Sequence, residues 1–106
     1  MTDVLEYVKD ILLSIDPDAQ KFTSSHRTES AYTVWHPIRP IGIHADGRIG
    51  PGWSFQVDRY TKADHDEIAA RIFEAFDSDD RIAVSYEIIY EDDTGYFRHL
   101  FSCEVM

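Results

Sequence analysis

The side chains that could carry chemistry in this chain are the histidines, one cysteine and several clusters of acids. The five histidines are His26, His36, His44, His65 and His99. No two of them have the HxH or HExxH spacing that orients metal ligands. His44 with Asp46, or His65 with Asp64, has the residue types for a metal contact, but scattered surface histidines are the more ordinary interpretation. The sequence therefore predicts no metal site and no cofactor.

The nucleophiles and acids are similarly unremarkable in their spacing. Cys103 has no neighbouring base in the sequence to activate it, so we expect it to behave as a small apolar residue. The acids of 77–80 and 91–93 lack the ligand spacing of a calcium loop, which favours solvated turns. No glycine-rich loop opens a helix, so no nucleotide cradle is predicted. We expect no catalytic residue and no enzyme activity.

The charge of the chain is strongly negative and unevenly distributed. The formal net charge is -10, which argues against an extended phosphate-binding surface. Residues 1–20 carry a net charge of -4, residues 21–60 carry +2 and residues 61–106 carry -8. A mildly basic segment on an acidic body suits a protein that pairs with copies of itself or with a charged partner.

The size and composition indicate a single folded domain, 1–106. The chain has 106 residues, of which 43% are hydrophobic, enough for one core. No apolar run is long enough to cross a bilayer, and the N-terminus lacks the basic start of a signal peptide. Because the single cysteine cannot form an internal disulfide, we expect synthesis in a reducing, intracellular compartment.

The first half of the chain predicts one helix and one strand before a long loop. A helix over 3–15, capped by Asp3, places its apolar residues on one face and ends before Pro17. A polar, mobile connection over 18–30 leads to a strand over 31–36. The segment 37–52 holds three of the four prolines and four of the five glycines. It is predicted to be a long loop, with part of 41–45 extending a hairpin arm and a tight turn at 45–48.

The second half of the chain predicts three strands and a helix. Apolar and polar residues alternate over 53–60, and the rhythm then changes to the stripe of an amphipathic helix that is capped by Thr61 or Asp64 and ends near Phe76. Strands over 81–90 and 96–105 flank a turn at Gly95 and are expected to form an antiparallel hairpin. The predicted fold class is α+β, in the order α-β-β-α-β-β. One four-stranded, mostly antiparallel sheet carries both helices on one face.

This layout resembles that of the tail terminator, or tail completion, proteins of long-tailed bacteriophages and prophages. The segments that carry the resemblance are the first helix, the AYTVWH strand, the glycine- and proline-rich connection, WSFQVDRYTKADHDEIAARIFEAF and the hairpin IAVSYEIIYEDDTGYFRHLFSCEV. A strand of the type xxFQVDxY that passes into a helix with small and aliphatic residues is typical of that family. The resemblance spans most of the chain and is one of pattern.

The resemblance implies a structural virion protein. Proteins of that family form a hexameric ring that caps the head-proximal end of the tail tube and presents a surface to the head connector. The implied partners are other copies of the chain, the tail tube protein, the head-tail connector protein and DNA that passes through the lumen without specific binding. The implied location is the host cytoplasm during assembly and then the virion tail, with no membrane contact.

The long loop supplies the candidate assembly contacts. A subunit of a closed ring offers two different patches, one of which accepts the other head to tail. Four side chains are selected as candidate contacts from their expected exposure and charge. They do not come from an alignment with family residues. They are Arg39, His44, Asp46 and Arg48.

Other functions fit the same sequence. A neck adaptor or a minor tail protein would use a similar domain. A small acidic inhibitor, such as an immunity protein or a DNA mimic, would bind a basic enzyme through the acids of 77–80 and 91–93. A small-ligand domain or enzyme with a site between sheet and loop ranks last, because no polar constellation supports it.

Overall fold

The computed structural model describes residues 4–23, 30–43 and 49–106. Two helices and five strands make up the fold. In chain order they are α1 (Val4–Ile15), β1 (Gln20–Lys21), β2 (Tyr32–Ile43), β3 (Ile49–Thr61), α2 (Glu67–Asp77), β4 (Ile82–Glu91) and β5 (Tyr96–Val105). The α+β class is confirmed, and so is the hairpin of β4 and β5, whose turn places Gly95 at φ 75°.

The strands form one sheet in the order β1-β2-β3-β5-β4. β1 runs parallel to β2 and the other neighbours are antiparallel, so the sheet is mixed. The predicted four-stranded sheet was therefore wrong in detail, because the polar connection over 18–30 contributes the short strand β1. Its two residues carry no period-two signal that a sequence pattern could show. The chain passes from β3 through α2 to the outer strand β4 and then returns as β5, which lies between β3 and β4. Because β5 is antiparallel to both of them, β3 and β4 run in the same direction.

Both helices pack on the same face of the sheet, as predicted. α1 buries Val4, Val8 and Leu12, and α2 buries a similar stripe of apolar side chains. Alternate residues of β3 and β5 meet them, so that Phe55 lies edge-on to Phe76 with ring centroids 5.6 Å apart. This core is a single cluster that includes residues from both helices and from β2, β3, β4 and β5.

The prediction of a loop over 37–52 was wrong for most of the segment, although the hairpin arm expected over 41–45 is confirmed as far as Ile43. β2 continues to Ile43 and β3 begins at Ile49, so both strands run well into this segment. Pro37 and Pro40 are tolerated in β2 because β1 pairs with β2 only at Val34 and Trp35. In the part of the chain that the structure describes, the outer edge of β2 has no ladder partner beyond that point, and a missing N–H there costs no strand pairing.

The predicted cap of α2 was wrong, and the predicted cap of α1 lies outside the described residues. α2 is capped by Asp66, whose side chain accepts a hydrogen bond from the N–H of Ala69 at 2.8 Å, so both Thr61 and Asp64 were wrong. Asp3, the cap predicted for α1, lies outside the described residues, as does the predicted turn at 45–48. Two acids, Asp64 and Asp66, stand within three positions before α2, and spacing alone did not distinguish the one that a neighbouring strand holds in place.

Arg59 of β3 is the group that holds Asp66. Its Nε donates to Asp66 Oδ2 at 3.0 Å, and one terminal nitrogen lies 3.5 Å from Asp16 Oδ2 and 3.2 Å from Thr33 Oγ1. The guanidinium therefore connects the end of α1, the start of α2 and the strand β2. The side chains of Arg59, Asp16 and Asp66 are only 10%, 13% and 16% exposed. At that depth a partner lost from the cluster leaves charge that water does not fully solvate.

Replacement of Arg59 by methionine is expected to lower the free energy of unfolding by about 3 kcal/mol, because two nearly buried carboxylates lose their cation. Urea denaturation followed by circular dichroism measures the change. Lys9→Met is the matched control, since its ion pair with Glu6 joins side chains that are 44% and 56% exposed. The control should cost less than about 0.5 kcal/mol. Equal losses in the two variants would contradict a special role for Arg59.

Candidate functional site: an open groove across the sheet

The face of the sheet that points away from the helices is the candidate functional surface. Ser54, Gln56, Asp58 and Tyr60 of β3 lie on this face, because successive side chains of a strand alternate between its two faces. Both described helices pack on the other face. Within the described ranges no helix covers this face, so it is available to a partner there.

A groove crosses this face at the end where β3 enters the sheet. It encloses about 550 Å³ and reaches from β2, through β3 and β5, to β4. The floor has four small side chains, Ser54, Ala83, Ser85 and Ser102, and one acid, Glu104, which lies between Ser54 and Ala83 because it pairs with both. Ile38 and Arg39 of β2 lie at one side of the groove. A floor of this kind leaves room for side chains of another molecule.

A β-bulge places Arg39 in the groove. Before the bulge, Thr33, Trp35 and Pro37 of β2 face the helices. Simple alternation would send residue 39 to the same side. The register shifts between Pro37 and Arg39, so that Arg39 pairs with Ser54 and lies on the open face. The extra residue, Ile38, is 51% exposed. A bulge often re-aims a side chain in this way near a functional surface.

An ion pair occupies the middle of the open face. The Nε of Arg98 donates to Asp58 Oδ1 at 2.8 Å, and the side-chain amide of Gln56 donates to Asp58 Oδ2 at 3.0 Å. The hydrogen bond to Asp58 raises the pKa of Arg98 above its ordinary value. Asp58 is 3% exposed, so the pair anchors β3 to β5 and offers no free charge to a ligand.

Aromatic side chains form the far end of the open face. Tyr32 and Tyr60 stack with ring centroids 4.8 Å apart, and Tyr96 lies edge-on to both. The ammonium of Lys62 lies 3.7 Å from the centroid of the Tyr96 ring. Burial raises the pKa of Tyr60. The rings therefore form a rigid, neutral surface that suits packing against another protein.

Of the predicted contact residues, the structure describes one. Arg39 lies at the groove, where its carbonyl accepts a hydrogen bond from Ser54 Oγ at 3.4 Å. His44, Asp46 and Arg48 lie outside the described residues. The serines and the alanine of the floor were missed, although the alternating Ala83 and Ser85 of the IAVSY segment were a signal in the sequence.

One histidine departs from the prediction of scattered surface residues. His99 is fully buried, with its Nδ1 2.7 Å from the hydroxyl of Tyr86 and its Nε2 3.4 Å from Thr61 Oγ1. Tyr86 also stacks on Phe101, with ring centroids 4.5 Å apart. Both ring nitrogens of His99 thus have polar neighbours inside the core. This arrangement is that of a structural histidine that connects β5 to Thr61 of β3 and Tyr86 of β4.

Two further searches cover the described residues alone. Within residues 4–23, 30–43 and 49–106, no three histidine, cysteine or acidic side chains come together so as to hold a metal ion. Neither α1 nor α2 is long and apolar enough to cross a membrane.

The strands β2 and β3 extend beyond the sheet as an arm beside the groove. β5 ends at Val105, opposite Trp53, whereas β2 and β3 still pair at Ile43 and Ile49. Gly52 lies where the arm leaves the sheet. A side chain does not fit at this position, because a Cβ would lie 2.8 Å from the carbonyl oxygen of Val105. The molecule is elongated, with a Cα radius of gyration of 14.4 Å. A compact chain of this length would have about 13 Å.

No protein-family model matches this chain, and a comparison with curated proteins finds no match.

The thiol of Cys103 is expected to react slowly. Cys103 borders the groove, but its side chain belongs to the core and is 4% exposed. Burial raises the pKa of the thiol from 9.0 to about 12. At about pH 8, alkylation by iodoacetamide should be roughly a thousandfold slower than in the unfolded chain, because the thiolate is that much rarer. Mass spectrometry of timed samples, with a control in concentrated guanidinium, measures both rates. Equal rates would mean that the groove opens to the core.

Proposed function

We propose that this chain is a structural subunit that assembles with copies of itself into a ring of the tail terminator type. Such a ring would cap the head-proximal end of a phage or prophage tail tube and join it to the head connector. The observation that carries the proposal is the open groove, with its floor of small side chains, beside a projecting two-stranded arm. The groove and the arm are two different patches, as a head-to-tail ring requires.

The arm supports the proposal because of its own marginal stability. An isolated two-stranded ribbon gains little from folding in water, since it has no second layer against which to pack. Within residues 40–43 and 49–52, the described ladder joins the two strands only to each other and, at Gly52, approaches the end of β5. A neighbouring subunit would supply the missing layer, and the groove of that subunit is a concave surface on which an arm could lie.

The distribution of charge supports a head-to-tail arrangement. The segment 21–60, with a net charge of +2, contains β2 and all but one residue each of β1 and β3, which form one side of the sheet. The segment 61–106, with a net charge of -8, contains β5 and β4 on the other side. Contact between unlike sides of two subunits lowers the repulsion that their total charge of -10 each would otherwise cause.

The other partners follow from the same proposal. The tail tube and the head connector would contact the two ends of the ring, and DNA would pass through the lumen. An acidic protein repels phosphates, so the DNA would move without specific binding. A neck adaptor or a minor tail protein would use the same surfaces in another ring of the virion.

Native mass is the first test of the proposal. Light scattering or native mass spectrometry across protein concentration, with and without magnesium, should detect a discrete ring-sized species, most tellingly a hexamer. Magnesium should favour it, because a divalent cation relieves repulsion between acidic subunits. A monomer under every condition, combined with salt-sensitive binding to a basic enzyme, would contradict the ring and support the acidic inhibitor.

Charge reversal at the groove tests the contact itself. Arg39→Glu should shift the midpoint of assembly to at least about tenfold higher protein concentration, since a rim cation is exchanged for an anion at the proposed contact. Arg71→Glu, on the exposed surface of α2, makes the same change in net charge and is the matched control. The control should shift the midpoint less than about threefold. Equal shifts in the two variants would show that net charge, and no contact at the groove, governs assembly.

A further inference from the structure

The outer edge of β4 is a free strand edge with a defined set of hydrogen-bonding groups. Among the described residues β4 has one ladder partner, β5. The N–H of Met106 donates to the carbonyl of Arg81, so residue 81 directs its backbone groups toward β5. No register shift occurs between β4 and β5. In an antiparallel pair this direction alternates, so the even-numbered residues direct their N–H and C=O groups outward. Beyond Ile82, whose N–H donates to Asp79, they are Val84, Tyr86, Ile88 and Tyr90.

Among the described residues, this edge lacks proline, lysine, a bulge and a covering segment, and the charged side chains of the strand are Glu87 and Glu91. Native edges are protected by proline, by lysine, by bulges or by a covering segment. The opposite border has such protection, with Pro37 and Pro40 in β2 and two register shifts. β4 has ten residues, IAVSYEIIYE, without proline, lysine or bulge. Exposed apolar side chains accompany its far half, where Ile88 is 46% and Tyr90 is 53% exposed.

The side chains of β4 specify the kind of strand that would pair with it. The even residues, among them Ile88 and Tyr90, lie on the helix side and are apolar. The odd residues lie on the open face and include Glu87 and Glu91. Since side chains directly opposite each other interact across a ladder, a matching strand has apolar residues on one face and basic residues on the other.

A second copy of β4 does not meet this requirement. The antiparallel register that pairs nearly the whole strand places Tyr86 opposite its own counterpart. The turns then meet at both ends, with Asp92 and Asp93 of one copy opposite Asp80 and Asp79 of the other. Like charges directly opposite each other are destabilising, and this occurs twice in a symmetric pair.

One basic group near these acids is already engaged. The Nε of Arg81 donates to the terminal carbonyl of Met106 at 2.9 Å, and its guanidinium lies 4.2 Å from the centroid of the Tyr7 ring. It would face Glu91 of the second copy in that register, and it would have to leave these contacts to neutralise it. The acids therefore guard the edge against self-pairing while they attract a cationic partner.

We propose that the outer edge of β4 binds an extended segment of another protein in which basic and apolar residues alternate. The segment would add a strand to the sheet, with its backbone bonded to the outward groups of β4 and its basic side chains opposite Glu87 and Glu91. This surface is separate from the β2–β3 arm, and the proposal goes beyond ring formation.

Amide hydrogen exchange tests the proposal directly. The probe is a synthetic peptide as long as β4 in which lysine and valine alternate, with blocked ends. At saturation it should slow exchange at the N–H groups of Val84, Tyr86, Ile88 and Tyr90 by at least about tenfold. The odd-numbered amides of β4, which already bond to β5, should change little. A peptide in which glutamate replaces lysine is the matched control and should give no protection.

Variants at one exposed position separate backbone pairing from side-chain contact. Ile88→Pro removes one outward N–H and should weaken binding of the lysine peptide at least about tenfold, whereas Ile88→Thr keeps the N–H and should weaken it less than about threefold. Retained protection at the odd-numbered amides shows that Ile88→Pro is folded.

Three results would overturn the proposal: no protection by the lysine peptide, equal protection by the glutamate peptide, or protection that rises with protein concentration without peptide. The last would identify a second copy as the occupant. Native mass reports ring formation separately, so the two proposals fail independently.

Discussion

The buried guanidinium of Arg59 is the contact on which the arrangement of helices and strands depends. It reaches the carboxylates of Asp16 and Asp66 and the hydroxyl of Thr33, and so connects both helices to two neighbouring strands. An apolar cluster of the same volume would tolerate small rotations of the helices, since apolar contacts have no direction. Hydrogen bonds to a planar guanidinium do have direction. The cluster thus ties the end of α1 and the start of α2 to β2 and β3, on the face of the sheet where the apolar side chains lie.

The sheet has one face that the helices cover and one open face, and the two faces carry different kinds of side chain. The covered face carries the core, the buried His99 and the thiol of Cys103. The open face carries small side chains at one end, an internally neutralised ion pair in the middle and stacked tyrosines at the other. The middle and the tyrosine end of this face are rigid, and the Arg98–Asp58 pair in the middle is neutral, whereas Arg39 and Glu104 bring charge to the groove end, a combination that suits contact between proteins. The acids lie mostly in the helices and turns, where water solvates them.

The borders of the sheet differ as much as its faces. The β2 border has prolines and bulges, while the β4 border has ten regular residues with outward backbone groups. If the protein assembles as proposed, it must expose surfaces for its partners and yet avoid indiscriminate association. Here the acids in the turns that flank β4 provide selectivity by sign of charge, and the prolines of β2 provide it by removal of hydrogen-bond donors. The proposed ring and the proposed added strand therefore use different parts of the molecule.

The sequence by itself determined the elements with strong periodicity. The stripes of α1 and α2 and the alternation over 53–60 and 96–105 predicted the class, the hairpin and the helix face, because burial of one face imposes a period on the residue types. It did not reveal β1, the cap at Asp66 or the extension of β2 and β3 through the prolines. Each of these depends on a neighbour that is distant in sequence: β2 for β1, Arg59 for Asp66, and a free outer edge for Pro37 and Pro40. Arg39 was chosen from its charge, but only the bulge at Ile38 decided that it faces the groove, since a single extra residue reverses the alternation that a sequence pattern assumes.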